Sequence, residues 1–415
     1  MKPIQKVIVS IDFGDKELQV GELIKEGRGI YFKYYTEFIK TGLELSPFHL
    51  PLNDSIYTAP AQPFEGLFGV FSDSLPDGWG CLLLDRTLTA KGILLQDITP
   101  LQRLSYVGLK GMGALIYRPQ IETSFQETLQ VELDAIAKEM IIVLQGASSL
   151  VIDELYKMGG SSGGARPKIL VGYHPGTEHL IHGIESLPEG YEHWLIKFPS
   201  SNDIIDIAPI EYAYHKMALA AGIAMNPCKL FATESGKVFF GTKRFDRTKH
   251  GRLHLHSAAG MLNDNFRYST MDYGNLMDAT FRLEHDVAGH EKILRIAAFN
   301  VFVHNRDDHS KNISYLMDSA GNWQLAPAYD LTYSNSLHGM HSTTIAREGT
   351  HPGKSHLLEL ANEFRLKNGA IIIEQVVDIV SQWKSYAKDA GVTTKSMGLI
   401  EKKIQGTLEY NTSSD

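Results

Sequence analysis

Cysteine is nearly absent: Cys81 and Cys228 are the only two thiols in 415 residues. Two such distant positions make neither a disulfide framework nor a zinc finger, and they suit a reducing compartment. Long apolar runs are missing too. No uncharged stretch approaches roughly 18 residues, so no membrane span is expected. The first residues, "MKPIQKVIVSIDFGDKE", have no long apolar core and no cleavage site. No signal peptide is expected, and the expected location is cytoplasmic. Positive charge is not in excess: 40 Lys+Arg against 48 Asp+Glu give a net charge of −8. Such a chain has no broad basic field with which to hold nucleic acid alone. Internal repeats are absent as well.

What is present fits a globular protein with a real core, at 43% hydrophobic and 21% charged residues. The length allows two or three domains. Residues 4 to 40 alternate in short β-rich runs punctuated by Gly, as in hairpins. "FEGLFGVFSDSLPDGWGCLLLDRTLTAKG" reads as a loop entering a helix, begun near Asp77 and ended by Gly92. A helical period covers residues 131 to 145. "EHWLIKFPS" reads as a strand, residues 206 to 222 as a helix, and residues 228 to 247 as a hairpin turning at Ser235-Gly236. Beyond about residue 255 helices dominate. "HEKILRIAAFNVFVHN" is apolar almost all round and should be buried. "IIIEQVVDIVSQWKSYAKDAG" reads as an amphipathic closing helix, and the tail "NTSSD" as frayed. The layout is a mixed α/β N-terminal half and a mostly helical C-terminal half.

The chemistry concentrates in "HNRDDHSKNISYLMD", residues 304 to 318. Asp307 follows the apolar helix, and Asn312 comes five positions later. "ISYLM", "DSAG" and "NWQLAP" then read as a β-hairpin with Asp330 just beyond it. A hairpin brings its open ends together, so Asn312 and Asp330 can point into one small volume. An Asp, an Asn five on and an Asp past a hairpin match the catalytic arrangement of protein kinases. Asn312 and Asp330 offer the hard oxygens that Mg²⁺ takes. Asp307 can accept or orient the proton of an attacking hydroxyl. Lys311 could neutralise a transferring phosphoryl group. His309 reads either as a group orienting the site or as a brace of the loop. His304 reads as packing at the helix end.

"GGSSGGARPK", residues 159 to 168, is not a Walker A loop, because Ala165 stands where Lys is needed. Gly-rich backbone can still aim N–H groups at phosphates, with Arg166 and Lys168 adding charge. Lys197 sits in an apolar strand, where an ammonium needs a partner or must snorkel. Nucleotide phosphates would be one partner, and Glu211 in the next helix another. "GTKRFDR" is placed to read an adenine edge through Lys243 and Phe245. Asp246 with Arg244 or Arg247 reads as a surface ion pair. His254 and His256 alternate along a strand.

"SSGGARPK", "HWLIKFP", "KRFDR", "NRDDHSKN" and "LAPAYDLT", in this order, resemble the HipA family of bacterial serine/threonine kinases, the toxin halves of toxin–antitoxin modules. "FSDSLPDGWG" resembles that family's N-terminal subdomain. The resemblance covers nearly the whole chain. It implies an α+β, two-lobed protein-kinase-like fold with an extra N-terminal subdomain and an all-helical C-terminal lobe. The expected parts are a β-rich subdomain over 1–125, the nucleotide-binding part of the N-lobe over 126–250 and the helical C-lobe over 251–415.

It also implies ATP and Mg²⁺, with Asp307 as catalytic base beside Lys311 and His309, and Asn312 and Asp330 as metal ligands. Lys197 would take the nucleotide phosphates. So would the loop carrying Ser162, Gly163, Gly164, Ala165, Arg166 and Lys168, with Lys243 and Phe245 near the base. Ser161 or Ser162 would be the site of a self-inactivating autophosphorylation. The implied partners are a helix-turn-helix antitoxin of HipB type, through which alone operator DNA is bound, and a protein substrate among translation components such as an aminoacyl-tRNA synthetase. "GRLHLHSAAGMLNDNFRYSTMDYGNL" departs from the best-known toxins, which leaves substrate and toxicity open. Two other readings stand beside this one: a kinase-shaped corepressor that mainly docks the antitoxin, and a metal phosphohydrolase built on "HNRDDH".

Overall fold

The computed structural model describes residues 4–121, 129–146, 152–160, 163–182, 187–201, 203–336 and 339–412. They form two compact units. One holds Met1–Asp203, Phe231–His256 and Met317–Gly321; the other holds Ile204–Leu230, Ser257–Leu316 and Asn322–Asp415.

The first unit carries two larger sheets. β1 (Lys6–Asp12), β2 (Glu17–Glu26), β3 (Gly29–Tyr34), β4 (Ile56–Thr58) and β5 (Leu115–Arg118) form one of them, in the order β4-β3-β2-β1-β5. Its pairs are antiparallel. Strand periodicity explains the burial: Val7, Val9 and Ile11 point to one face and are wholly buried. The second sheet runs β10-β11-β9-β7-β8-β6. Its strands are β6 (Leu129–Gln130), β7 (Lys168–Tyr173), β8 (Leu180–His182), β9 (Glu192–Lys197), β10 (Cys228–Ala232) and β11 (Val238–Lys243). The turn between the last two has Gly236 at φ 80, the left-handed region that favours glycine.

The helix Gly78–Ala90 lies on this second sheet's core: Trp79, Leu83, Leu84 and Leu88 share one apolar cluster with Leu155, Ile169, Val171 and Ile196. That burial fixes the helix N-terminus beside the start of β7.

The "KRFDR" ion pair is not at the surface. Asp246 is wholly buried. Its carboxylate accepts from Arg244 Nε at 2.9 Å, Arg247 Nη1 at 2.8 Å and the Gly113 backbone N–H at 2.7 Å. Arg247 also donates to the carbonyls of Gly111 and Gly113. The partners that bury it come from a loop more than a hundred residues earlier, which local sequence cannot reveal. His254 and His256 do alternate along a strand, and both are fully buried. His256 lies between Asp73 (Nδ1 to Oδ2, 2.6 Å) and Ser46 (Nε2 to Oγ, 3.0 Å). This has the connectivity of a nucleophilic triad, but Ser46 is 2% exposed. A substrate cannot reach it, and the three groups serve to satisfy one another's buried polar atoms.

The second unit is mostly helical. Ala288–Phe302 is its buried helix, with Ile293, Leu294, Ala297, Ala298 and Phe299 fully or almost fully covered. The chain does not close on the amphipathic stretch. That stretch divides into Gly369–Val380 and Trp383–Asp389, and a further helix, Thr394–Thr412, follows Gly391 at φ 83. Its start is capped by Thr393, whose hydroxyl accepts from Ser396 N–H. Asp206 adds acceptors for Thr393 N–H and Ser396 Oγ. Burial of Ile400 and Ile404, one turn apart, holds it down. No helix among the described residues is long and apolar enough to cross a membrane.

Candidate functional site

After Phe302 the chain leaves the helix and turns at His304, at φ 59. His304 stacks on Tyr333 at 5.7 Å and its Nε2 lies 3.0 Å from Asn335 Oδ1, so it packs at the helix end. Burial and the nearby Arg306 bring its imidazole down to about 4, so it is neutral near pH 7. The next acidic residues divide. Asp307 has a side chain 59% exposed, whereas that of Asp308 is 1% exposed.

Sequence reasoning gave Asp308 no role, yet it organises the loop. It accepts from Tyr273 Oη at 3.1 Å and Ser342 N–H at 2.8 Å, and lies 2.9 Å from His341 Nδ1. Thr343 Oγ1 donates to its carbonyl at 2.7 Å. The segment around residues 341–343 is thereby pinned to the loop that carries Asp307. Only the doubled Asp in "RDDH" hinted at it. Asp308→Asn keeps one acceptor oxygen but presents an amide to two donors. It is expected to cost about 1–3 kcal/mol of stability, read as a lower urea midpoint with unchanged slope.

The turn Ser310–Asn312 leads into the hairpin of Ser314–Met317 and Trp323–Leu325. Tyr329 closes its open end: its hydroxyl donates to the Lys311 carbonyl at 2.6 Å and lies 2.6 Å from Ser314 Oγ. Asp330 follows at φ 54, a left-handed conformation that an Asp tolerates better than most side chains. Asn312 Nδ2 donates to the Asp307 carbonyl at 2.8 Å, which commits the amide nitrogen and leaves Oδ1 as the acceptor atom of the side chain.

A small cleft, partly open to solvent, is lined by Asp308, His309, Asn312 and Asp330 together with Asn305 and Tyr329 among others. Two buried polar atoms on these residues, His309 Nδ1 and Asn305 Oδ1, have no hydrogen-bond partner among the described residues. Asp307 and Lys311 are not part of the wall. His309 Nε2 is 3.8 Å from Asp307 Oδ1, beyond hydrogen-bond length. Its ring centre lies 5.4 Å from that of Phe266, and Lys311 Nζ lies 4.9 Å from the centre of the Phe266 ring.

The other predicted residues lie in the first unit, except Glu211, which is buried in the helix Ile207–Ala220. Lys168 and Lys197 are direct partners across β7 and β9, so their side chains share a face. Like charges placed so are unfavourable without an anion or other acceptors between them. Lys168 Nζ donates to the Gly163 carbonyl, and Lys197 Nζ lies 5.6 Å from the Phe240 ring. Arg166 pairs with Asp203 at 3.0 Å. Lys243 pairs with Glu192 at 2.7 Å, and Phe245 is partly buried. Ser161 and Ser162 lie outside the described residues. Among those described, no three His, Cys, Asp or Glu side chains converge to hold a metal.

The fold is α+β, with a Gly/Ser loop beside paired lysines and an Asp-x₄-Asn loop whose hairpin returns a second Asp. The chain belongs to the HipA family: the HipA-like C-terminal domain matches residues 160–383, and the HipA N-terminal domain matches residues 15–118. Among solved structures it is similar to HipA of Shewanella oneidensis MR-1, determined with HipB and its operator DNA. That match has a TM-score of 0.70 at 17% identity and covers 98% of this chain and 97% of the other. The proinflammatory kinase CtkA of Helicobacter pylori matches at a TM-score of only 0.31 and 12% identity, over 52% of this chain and 91% of its own. No curated protein matches.

Proposed function

We propose that this chain is an ATP- and Mg²⁺-dependent protein serine/threonine kinase of HipA type, the toxin of a toxin–antitoxin pair. The observation that carries the reading is the cleft lined by both Asn312 and Asp330, with the Asn312 amide held through its Nδ2 by the Asp307 carbonyl. The residues fit magnesium. The donors are hard oxygens, only two come from protein, and magnesium bound with a nucleotide takes its remaining ligands from water and phosphate. When bound, magnesium would neutralise charge on the phosphates.

The chain's own groups would do the rest. Asp307, with its carboxylate exposed, accepts the proton of an acceptor hydroxyl. Lys197 and Lys168 supply positive charge to the nucleotide phosphates, and the Gly/Ser loop supplies backbone N–H groups. Phosphate on Ser161 or Ser162 would add about −1.5 to −2 charge beside those phosphates and lower nucleotide affinity. The partner is a HipB-type helix-turn-helix antitoxin. With a net charge of −8, the chain is assigned contact with operator DNA only through that partner.

The test is incubation of the full chain with γ-labelled Mg-ATP and mass spectrometry of the product. Phosphoserine in the Gly/Ser loop is expected. Asp330→Asn should lower transfer about 10–100-fold, with recovery at raised magnesium, since loss of even an orienting group near a metal costs that much. No transfer to any serine or threonine at any magnesium concentration would reject the reading.

A further inference from the structure

Asp77 stands at the N-cap of the helix Gly78–Ala90 but makes no side-chain cap bond to it. Its Oδ1 accepts instead from the backbone N–H of Gly164, in the Gly/Ser loop. The loop is held at a second point, where Trp79 N–H donates to the Gly164 carbonyl at 3.1 Å. Both backbone groups of Gly164 are therefore taken by residues 77 to 79. The approach is closer than a side chain would allow. A Cβ on Gly78 would meet Gly164 O and Ala165 Cα at 2.6 Å, and one on Gly80 would meet Gly160 O at 2.5 Å. The glycines of "PDGWG" admit the loop rather than merely begin a helix. On the other side, the buried Lys168 donates to the Gly163 carbonyl. The loop backbone is thus gripped from both sides, by a carboxylate from the N-terminal domain match and an ammonium from the C-terminal one.

We propose that Asp77 is a positioning residue for nucleotide binding: the N-terminal domain fixes the loop at Gly163 and Gly164 through this carboxylate, so that the backbone amides of Gly163, Ala165 and Arg166 are preorganised for phosphate. The assignment rests on the kinase reading above. The role is one of acceptor geometry rather than charge. An amide oxygen at the same position retains it, whereas a methyl group does not.

Two variants of the full chain test it, Asp77→Ala and Asp77→Asn, each first checked for a wild-type melting curve. Hydrogen exchange of peptides spanning 160–168, without nucleotide, reads the tether itself. Asp77→Ala should exchange about tenfold faster there, the loss expected when the acceptor of one hydrogen bond is removed and its donor is left unpaired. Asp77→Asn should stay close to wild type. The KM for ATP should rise about tenfold in Asp77→Ala with kcat within about twofold, and Asp77→Asn should restore it. Unchanged exchange in Asp77→Ala would overturn the tether. Tighter ATP binding in both variants would overturn the positioning role, because it would mean that the carboxylate repels the nucleotide. Wild-type protein that binds no ATP would instead reject the kinase reading, whatever the exchange data show.

Discussion

Asp307→Asn is expected to reduce phosphoryl transfer about 10²–10³-fold while leaving ATP affinity within about twofold. The magnitude is that of losing one preorganised group acting at the reacting centre, roughly 3–4 kcal/mol. Binding should survive because the substitution spares the backbone. The Asp307 carbonyl, not its carboxylate, holds the Asn312 amide. The side chain is mostly exposed, has no hydrogen bond to His309 at 3.8 Å and is absent from the pocket wall, so folding does not depend on it. Labelled phosphate transferred per minute, set beside nucleotide affinity by fluorescence, separates the two effects. Transfer at the wild-type rate would remove the base role from Asp307. A parallel loss of ATP affinity would place the residue in binding rather than chemistry.

What could be read from sequence here follows the range of the interactions. β1 to β3 were legible because apolar alternation and glycine turns are local signals. Asn312 and Asp330 were placed near one another because only a short hairpin separates them. Asp308 was not legible. Its acceptor role depends on Tyr273 and on residues 341–343, and nothing in "RDDH" says which Asp turns inward. The tether from Asp77 to Gly164 was missed for the same reason: an Asp before a helix reads as a cap, and only the packed core of helix and sheet shows its oxygen spent elsewhere. The closing helix Thr394–Thr412 was missed although its cap, Thr393 with Ser396, was present. Its two well-buried isoleucines make a weak apolar stripe against many Lys, Glu and Gln.

Asp246→Ala carries the largest expected effect on stability, about 3–5 kcal/mol, on the order of 10 °C in Tm for a unit of this size. The cost is not the worth of the contacts removed. It is the penalty of leaving the Arg244 and Arg247 guanidiniums buried side by side without their shared anion, and the Gly113 N–H without its acceptor. Burial alone would push the Asp246 carboxyl up, but the two guanidiniums and the hydrogen bonds outweigh it and hold the carboxyl far below its usual range. A depressed carboxyl contributes stability that is fully present above the unfolded value near about 4 and is lost as pH falls toward the native one. Wild-type stability should therefore drop with acid below that pH, and the Ala variant should lack this component of the slope. Calorimetric scans at pH 7 and at pH 3 measure both. Replacing the whole triad, Arg244→Met with Asp246→Leu and Arg247→Met, should recover much of the loss, because apolar packing can substitute for a buried ion network where a half-removed one cannot. If the single variant melted with the wild type, the carboxylate would not be compensating the two arginines, and the loop at Gly111–Gly113 would owe its position to something else.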